Sequence, residues 1–84
     1  MKSTGSRRDR AVLRAFSQRL KALRRAKKMS QQRLADAARL DRRYIVRLEA
    51  AERNPTLLIL ADLARALDVE IRDLTSSPNC GERK

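Results

Sequence analysis

The sequence of 84 residues carries 21 lysine or arginine residues against 10 acidic residues, giving a formal net charge of +11. A chain of this length builds one small core without a separate catalytic or effector-binding domain, and its charge indicates a polyanionic partner. The lack of histidine, of a glycine-rich phosphate loop and of a metal-ligand cluster argues against an enzyme and against any cofactor or metal.

The first ten residues, MKSTGSRRDR, are polar, basic and without periodicity, so we predict a flexible arm over residues 1–10. Apolar residues then recur at helical spacing and predict a first helix over residues 11–26. These residues are Leu13, Phe16, Leu20 and Leu23. Arginines interrupt this apolar run, so we expect no signal peptide and no membrane-spanning segment.

Two short helices around a tight turn are predicted next. Ser30 is a favourable N-cap for a helix over residues 31–38, and Asp41 is one for a helix over residues 42–50. Ile45 and Leu48 share the inward face of the second of these helices. Its outward face therefore carries three arginines, Arg42, Arg43 and Arg47.

Asn54-Pro55 interrupts the helical pattern, and Thr56 can cap a fourth helix over residues 57–67. We expect a core face of Leu60, Leu63, Ala64 and Leu67, which Leu57 can join. A short fifth helix is predicted around residues 70–74 and adds Ile71 and Leu74 to the core. Residues 75–84, which include the lone cysteine Cys80, are predicted to be disordered. The sequence thus indicates a compact all-α domain over residues 11–74.

The charge is distributed unevenly along the chain. Residues 1–47 carry sixteen lysines and arginines against three aspartates, whereas residues 48–84 carry five against seven acidic residues. This asymmetry indicates one face for phosphate and another for a different contact. A lone cysteine, which cannot form an intramolecular disulfide, is compatible with a reducing cytoplasm.

The arginine face of the third predicted helix has the chemistry of a DNA reader. A helix fits the major groove, and an arginine can donate two hydrogen bonds to guanine. The free N–H groups at the start of the second helix favour a phosphate, so Gln31 is predicted to contact the DNA backbone. Gln32 can contact the backbone, read a base or have neither role. A solvated charged face is the alternative for the three arginines.

Residues 16–74 resemble the Cro/CI-type helix-turn-helix family in three successive segments whose order and gaps are kept. The segments are LKALRRAKKMSQQRLADAARL, YIVRLEAAERNP and LLILADLARALDVEIRDL. Within that family, LDRRYIVRLEAAERN is most similar to the controller proteins of restriction-modification systems. The resemblance implies a five-helix, lambda-repressor-like fold, with helices two and three as the helix-turn-helix.

The resemblance also implies roles for individual residues. It assigns base reading to Arg42, Arg43 and either Val46 or Arg47. It assigns backbone contacts to Gln31, Tyr44, Arg53 and Asn54, and Arg53 can also reach a base.

Arg24 and Glu49 occupy the places of a structural ion pair that is common in the family. Two further positions depart from the family pattern, because Arg39 and Ala51 stand where the family usually has glycine. A positive φ is expected at both, and Arg39 can offset the strain by meeting a DNA phosphate.

A third departure is apolar, since Leu58 and Ile59 follow the start of helix four where the family usually has polar residues. Exposed apolar side chains beside an acidic half suggest a subunit interface. Further candidates for this interface are Leu67, Val69, Ile71 and Leu74. The alternative is an unusually hydrophobic core helix.

Together these features predict a cytoplasmic, sequence-specific transcriptional regulator. We expect it to bind a palindromic operator in double-stranded DNA as a homodimer, and the resemblance suggests the operon of a restriction-modification system. Two alternatives stay open. One is an antitoxin that represses its own operon and presents Leu58 and Ile59 to a toxin. The other is a module of the same fold that binds RNA or another protein, and a contact with polymerase also stays open.

Overall fold

The structure is a computed structural model that describes residues 7–76. It contains the helices α1 (Arg7–Ala26), α2 (Gln31–Ala38), α3 (Arg42–Glu49), α4 (Leu57–Leu67) and α5 (Ile71–Thr75). No strand occurs within residues 7–76. The predicted five-helix, all-α fold is therefore confirmed.

Helix α1 begins at Arg7, so the predicted flexible arm was wrong for residues 7–10. Asp9 lies in its first turn, where a carboxylate stabilises the positive end of the helix dipole. The sequence pattern missed these residues because they show no apolar periodicity. At the other end Thr75, placed in the predicted tail, closes α5. Residues 1–6 of the predicted arm and 77–84 of the predicted tail lie outside the described residues.

Three predicted N-caps fix where α2, α3 and α4 begin. The Ser30 hydroxyl accepts a hydrogen bond from the Arg33 N–H at 3.0 Å, and the Thr56 hydroxyl accepts one from Ile59 at 3.2 Å. Asp41 Oδ1 accepts from the Arg43 N–H at 3.3 Å. Each such cap stabilises its helix by about 1 kcal/mol.

All five helices contribute to one hydrophobic core. Helix α2 packs against α3 and α4, while α1 packs against α3 and α5. Fully buried aliphatic side chains each contribute about 1.5–3 kcal/mol relative to exposure. The largest of them are Leu20, Leu34, Ile45, Leu48, Leu63, Leu67 and Leu74. The core thus holds the α2–α3 pair, and with it the outward face of α3, against the rest of the domain.

Burial decides between two expectations for Leu67 and Leu74, which are predicted both for the core and for a subunit interface. Leu67 and Leu74 are 1% and 0% exposed, so the prediction that they form a subunit interface was wrong. Their apolar spacing reflects the core of their own chain. Leu57 does not join the core face of α4, because it lies in the first turn and is exposed.

Four helix ends adopt the left-handed conformation without glycine. The φ angles are 59° at Lys28, 61° at Arg39, 62° at Ala51 and 59° at Asp68. The positive φ predicted at Arg39 and Ala51 is therefore confirmed, and two such positions were missed. Each non-glycine residue in this conformation costs about 1 kcal/mol. The α2–α3 turn keeps its closing hydrogen bond, 2.8 Å from the Leu40 N–H to the Ala35 carbonyl.

Candidate nucleic-acid interface

Helix α3 presents a polar, cationic surface opposite its buried side. Ile45 and Leu48 are fully buried, which fixes the rotation of the helix about its axis. The side chains predicted to read bases all lie on the exposed side, and these are Arg42, Arg43, Val46 and Arg47. An exposed, cationic face on a single helix is compatible with entry into a major groove.

Most of the guanidinium groups around this face lack an internal partner. Arg39, Arg42, Arg47 and Arg53 are exposed, and their side chains make no hydrogen bond or ion pair with another residue in the range 7–76. Side chains in this state can bind phosphate or a base without first breaking an internal contact. Arg43 differs, because its Nε lies 3.6 Å from Asp41 Oδ2.

The turn after α3 brings a further arginine to this surface. The chain reverses at Ala51, where the Glu52 N–H donates to the Arg47 carbonyl at 2.9 Å. An open cleft of about 270 Å³ is then lined by residues of α3 together with this loop: Asp41, Arg43, Tyr44, Arg47 and Arg53. Arg53, predicted as a backbone contact, is therefore placed beside the base-reading residues. Tyr44 is half-buried and packs against the core, whereas Asn54 is exposed.

The side chain of Gln31 is partly buried at the start of α2. Its Nε2 donates one hydrogen bond to Glu49 Oε1 at 3.1 Å and keeps a second N–H for another acceptor. The main-chain N–H groups of Gln31 and Gln32 have no acceptor within α2 because these residues open the helix. A backbone contact at this helix end can therefore use the main chain. The side chain of Gln32 is also engaged, because its Nε2 donates to Asp36 Oδ1 at 2.9 Å.

A buried ion pair joins α1 to the end of α3. Arg24 Nε lies 2.6 Å from Glu49 Oε2, and Arg24 Nη2 lies 3.0 Å from Glu49 Oε1. The third contact of the same guanidinium is a 2.8 Å hydrogen bond to the Met29 carbonyl. The ion pair implied by the family resemblance is thus confirmed, with the Arg24 and Glu49 side chains only 10% and 2% exposed. It fixes the end of α3 relative to α1 and the α1–α2 loop.

The contact between Asp41 and Arg43 was missed from the sequence. Asp41 was interpreted only as an N-cap, and the structure shows that its second carboxylate oxygen also faces the Arg43 side chain. The sequence feature that could have indicated this contact is the arginine two residues after an N-cap aspartate. Asp41 therefore belongs to the candidate interface.

A separate surface is formed by α4 and α5, which pack against each other. Leu58 is 76% exposed, and Ile59, Val69 and Ile71 are half-buried against the core. We call these four residues the α4–α5 apolar surface. They retain the exposure that a subunit interface requires, unlike Leu67 and Leu74.

Residues 7–76 offer neither a metal-ligand cluster nor a membrane-spanning helix. No group of three or more histidine, cysteine, aspartate or glutamate side chains in this range could hold a metal ion. Within the same range, no helix combines the length and apolar character needed to cross a membrane.

The paired short helices, the cap at Ser30 and the exposed arginines of α3 define a DNA-binding protein of the helix-turn-helix class. Residues 20–74 match the model of the family described as helix-turn-helix, and the chain belongs to that family. The predicted Cro/CI-type resemblance and the predicted class of DNA-binding regulator are thereby confirmed.

Similar proteins include two restriction-modification controllers and a phage repressor. The controller protein C.AhdI from Aeromonas hydrophila is 47% identical, with a TM-score of 0.75, over 76% of this chain and 97% of that one. The controller protein C.Esp1396I is 33% identical, with a TM-score of 0.70, over 75% of this chain and 82% of that one. The immunity repressor of Bacillus phage phi105 is 39% identical over 54 residues, which are 64% of this chain and 38% of the repressor.

Proposed function

We propose that the chain is a sequence-specific transcriptional regulator whose helix α3 enters the major groove of its operator. One observation carries this proposal. Three arginines share the exposed side of α3, and the opposite side is locked into the core by fully buried Ile45 and Leu48. Helix-turn-helix proteins read bases with side chains near the start of such a helix. No enzymatic activity forms part of this proposal.

The DNA contacts fall into two sets. Base reading is assigned to the exposed side chains of α3, which are Arg42, Arg43, Val46 and Arg47. Backbone contacts are assigned to residues around them, which are the main chain of Gln31 and Gln32 and the side chains of Arg39, Tyr44, Arg53 and Asn54. Contacts of the second kind position the protein and make its affinity fall steeply with salt.

The regulator is proposed to act as a homodimer in the cytoplasm. Two α3 helices related by a two-fold axis fit successive major grooves about 34 Å apart, which requires a palindromic operator. The α4–α5 apolar surface supports this assembly, because Leu58 exposes three quarters of its surface, and Ile59 and Ile71 are partly exposed. Burial of these side chains against a second copy removes apolar area from water.

The operon under control is proposed to be that of a restriction-modification system. The support is the 47% identity to C.AhdI over nearly its whole length. The genes beside this one provide a test that needs no protein. A neighbouring restriction or methyltransferase gene supports the proposal, and an unlinked housekeeping operon contradicts it.

Selection of bound sequences from a random duplex pool tests specific readout and dimer geometry together. We expect enrichment of an inverted repeat whose half-sites lie about 10 base pairs apart, centre to centre. A pool that shows no enriched sequence after several rounds contradicts the proposed function. An enriched single half-site contradicts the homodimer and leaves specific reading by α3 intact.

An antitoxin is the second candidate, because Leu58, which is exposed, and Ile59, which is partly exposed, could also meet a toxin. A small toxin gene beside this one, together with a stable complex of the two proteins, supports this candidate. A module that binds RNA or an acidic protein is distinguished by its response to salt. Lack of duplex binding that weakens steeply as salt rises would support such a module.

A further inference from the structure

We propose that α3 reads a half-site whose contacted purines are guanines and not adenines, with a thymine methyl group against Val46. This inference rests on the proposed function and specifies the chemistry of the DNA that the same surface takes. It follows from the hydrogen-bond donors on the exposed face of α3 and from the lack of side-chain amides on that helix.

The available donors of α3 are guanidinium groups. Arg42, Arg43 and Arg47 are exposed on the helix, and Arg42 and Arg47 have no internal partner within residues 7–76. A guanidinium donates two parallel hydrogen bonds, which match the O6 and N7 acceptors of guanine in the major groove. The corresponding edge of adenine offers one acceptor, N7, beside an N6 donor that a guanidinium cannot satisfy.

Helix α3 lacks the side chains that read adenine. Bidentate reading of adenine needs a side-chain amide, which donates to N7 and accepts from N6. Helix α3 contains no asparagine or glutamine. The glutamines that open α2 each use one amide N–H internally, Gln31 towards Glu49 and Gln32 towards Asp36. Asn54 lies beyond the end of α3.

The contact between Arg43 and Asp41 fits one complete G·C pair. Arg43 can donate to the guanine, while the Asp41 carboxylate, 3.6 Å from Arg43 Nε, can accept from the cytosine amino group. Both side chains are largely exposed. An A·T pair also presents acceptors and one amino donor, but only guanine offers two adjacent acceptors to a single guanidinium.

The spacing along α3 limits where the guanines lie. Arg43 and Arg47 are one helical turn apart, about 6 Å along the axis. Base pairs are stacked about 3.4 Å apart, so these two arginines reach guanines roughly two base pairs apart. Val46 lies one turn from Arg42 on the neighbouring edge and is partly exposed. An apolar side chain there contacts the methyl group of thymine.

Base analogues in the selected duplex test the proposal with the full chain. Replacing each guanine singly by 7-deazaguanine removes the N7 acceptor and leaves Watson–Crick pairing intact. We expect about 5- to 150-fold weaker binding at two or more guanines of each half-site. Replacing adenines by 7-deazaadenine is the matched control, for which we expect less than about a twofold change.

Arginine variants add a second, independent readout. Arg43→Gln should move the preference at one base pair from guanine towards adenine, because an amide replaces the guanidinium. Arg25→Gln is the matched control, since it removes the same charge from an exposed residue in the last turn of α1. It should leave the selected sequence unchanged. Circular dichroism and thermal unfolding verify that both variants are folded.

The outcomes separate this inference from the function on which it rests. Loss of binding with 7-deazaadenine and none with 7-deazaguanine overturns guanine reading while sequence-specific binding stands. Guanine preferences that persist in Arg42→Gln, Arg43→Gln and Arg47→Gln overturn the assignment to α3. A random pool without any enriched sequence overturns the proposed function itself.

Discussion

Among the cations of residues 7–76, Arg24 is the one whose removal should lower the stability of the fold most. It makes two contacts with the Glu49 carboxylate and one with the Met29 carbonyl, and Glu49 is almost fully buried. Removal of one partner leaves the other charge buried without compensation. These contacts therefore determine how α3 is presented, although neither side chain is assigned to DNA.

We expect Arg24→Ala to lower the free energy of unfolding by about 3–5 kcal/mol, because it leaves the Glu49 carboxylate uncompensated. Arg25→Ala is the control, since Arg25 is exposed and should change the same quantity by less than about 0.5 kcal/mol. Urea denaturation of both variants provides the measurement. Equal stabilities would show that the buried pair does not support the fold.

Arg39 combines a strained backbone with an exposed charge in the α2–α3 turn. We expect Arg39→Gly to raise the free energy of unfolding by about 1 kcal/mol, because glycine adopts φ 61° without steric strain. The same variant should bind DNA more weakly and reduce the slope of log affinity against log salt by about one. Stability and duplex binding are measured on the same preparation.

Asp68→Gly is the control for Arg39→Gly, since Asp68 has a nearly identical φ of 59° at the end of α4. It should gain similar stability and retain the salt slope. Unchanged DNA affinity and slope in Arg39→Gly would remove Arg39 from the backbone contacts.

At the scale of the elements, the hydrogen bond from Gln31 to Glu49 joins the start of α2 to the end of α3. We expect Gln31→Ala to lower the free energy of unfolding by about 1–2 kcal/mol, because a buried carboxylate loses a donor. Gln32→Ala is the matched neighbour, since its exposed bond to Asp36 stays within one helix. It should change stability by less than about 0.5 kcal/mol. Thermal unfolding that ranks the two variants equally contradicts the coupling of α2 to α3.

Helices α2, α3 and α4 could be predicted closely from the sequence because local chemistry fixes their starts at Ser30, Asp41 and Thr56. The first turn of α1 could not be predicted, because its exposed arginines do not contribute to an apolar pattern at helical spacing. The arginine face of α3 follows from helical spacing alone. The partners of Gln31 and of Arg43 depend on side-chain packing and on rotamers, which spacing does not determine.

The mistaken prediction of Leu67 and Leu74 as interface residues has a related physical reason. Apolar spacing indicates that a helix face is buried, and it does not tell whether the burial is within the chain or against a second copy. Of the six residues predicted for the interface, Leu58, Ile59, Val69 and Ile71 keep exposed surface in the structure.

At the scale of the whole molecule, the α4–α5 apolar surface leads to a prediction about assembly. We expect Leu58→Glu to convert a dimer into a monomer at micromolar concentration, because a carboxylate would be buried at the interface. Val12→Glu, which places the same charge on the exposed side of α1, should remain dimeric. Sedimentation analysis provides the measurement, with circular dichroism as evidence of folding. A dimeric Leu58→Glu variant would exclude this surface as the interface.

The cationic half of the chain ensures attraction to any duplex, so binding alone does not establish a regulator. The decisive quantity is the ratio of affinities for the selected duplex and for a shuffled duplex of equal length and composition, measured at several salt concentrations. We predict that the selected duplex binds at least about a thousandfold more tightly near physiological salt. Equal affinity for the two duplexes at every salt concentration would contradict sequence reading by α3.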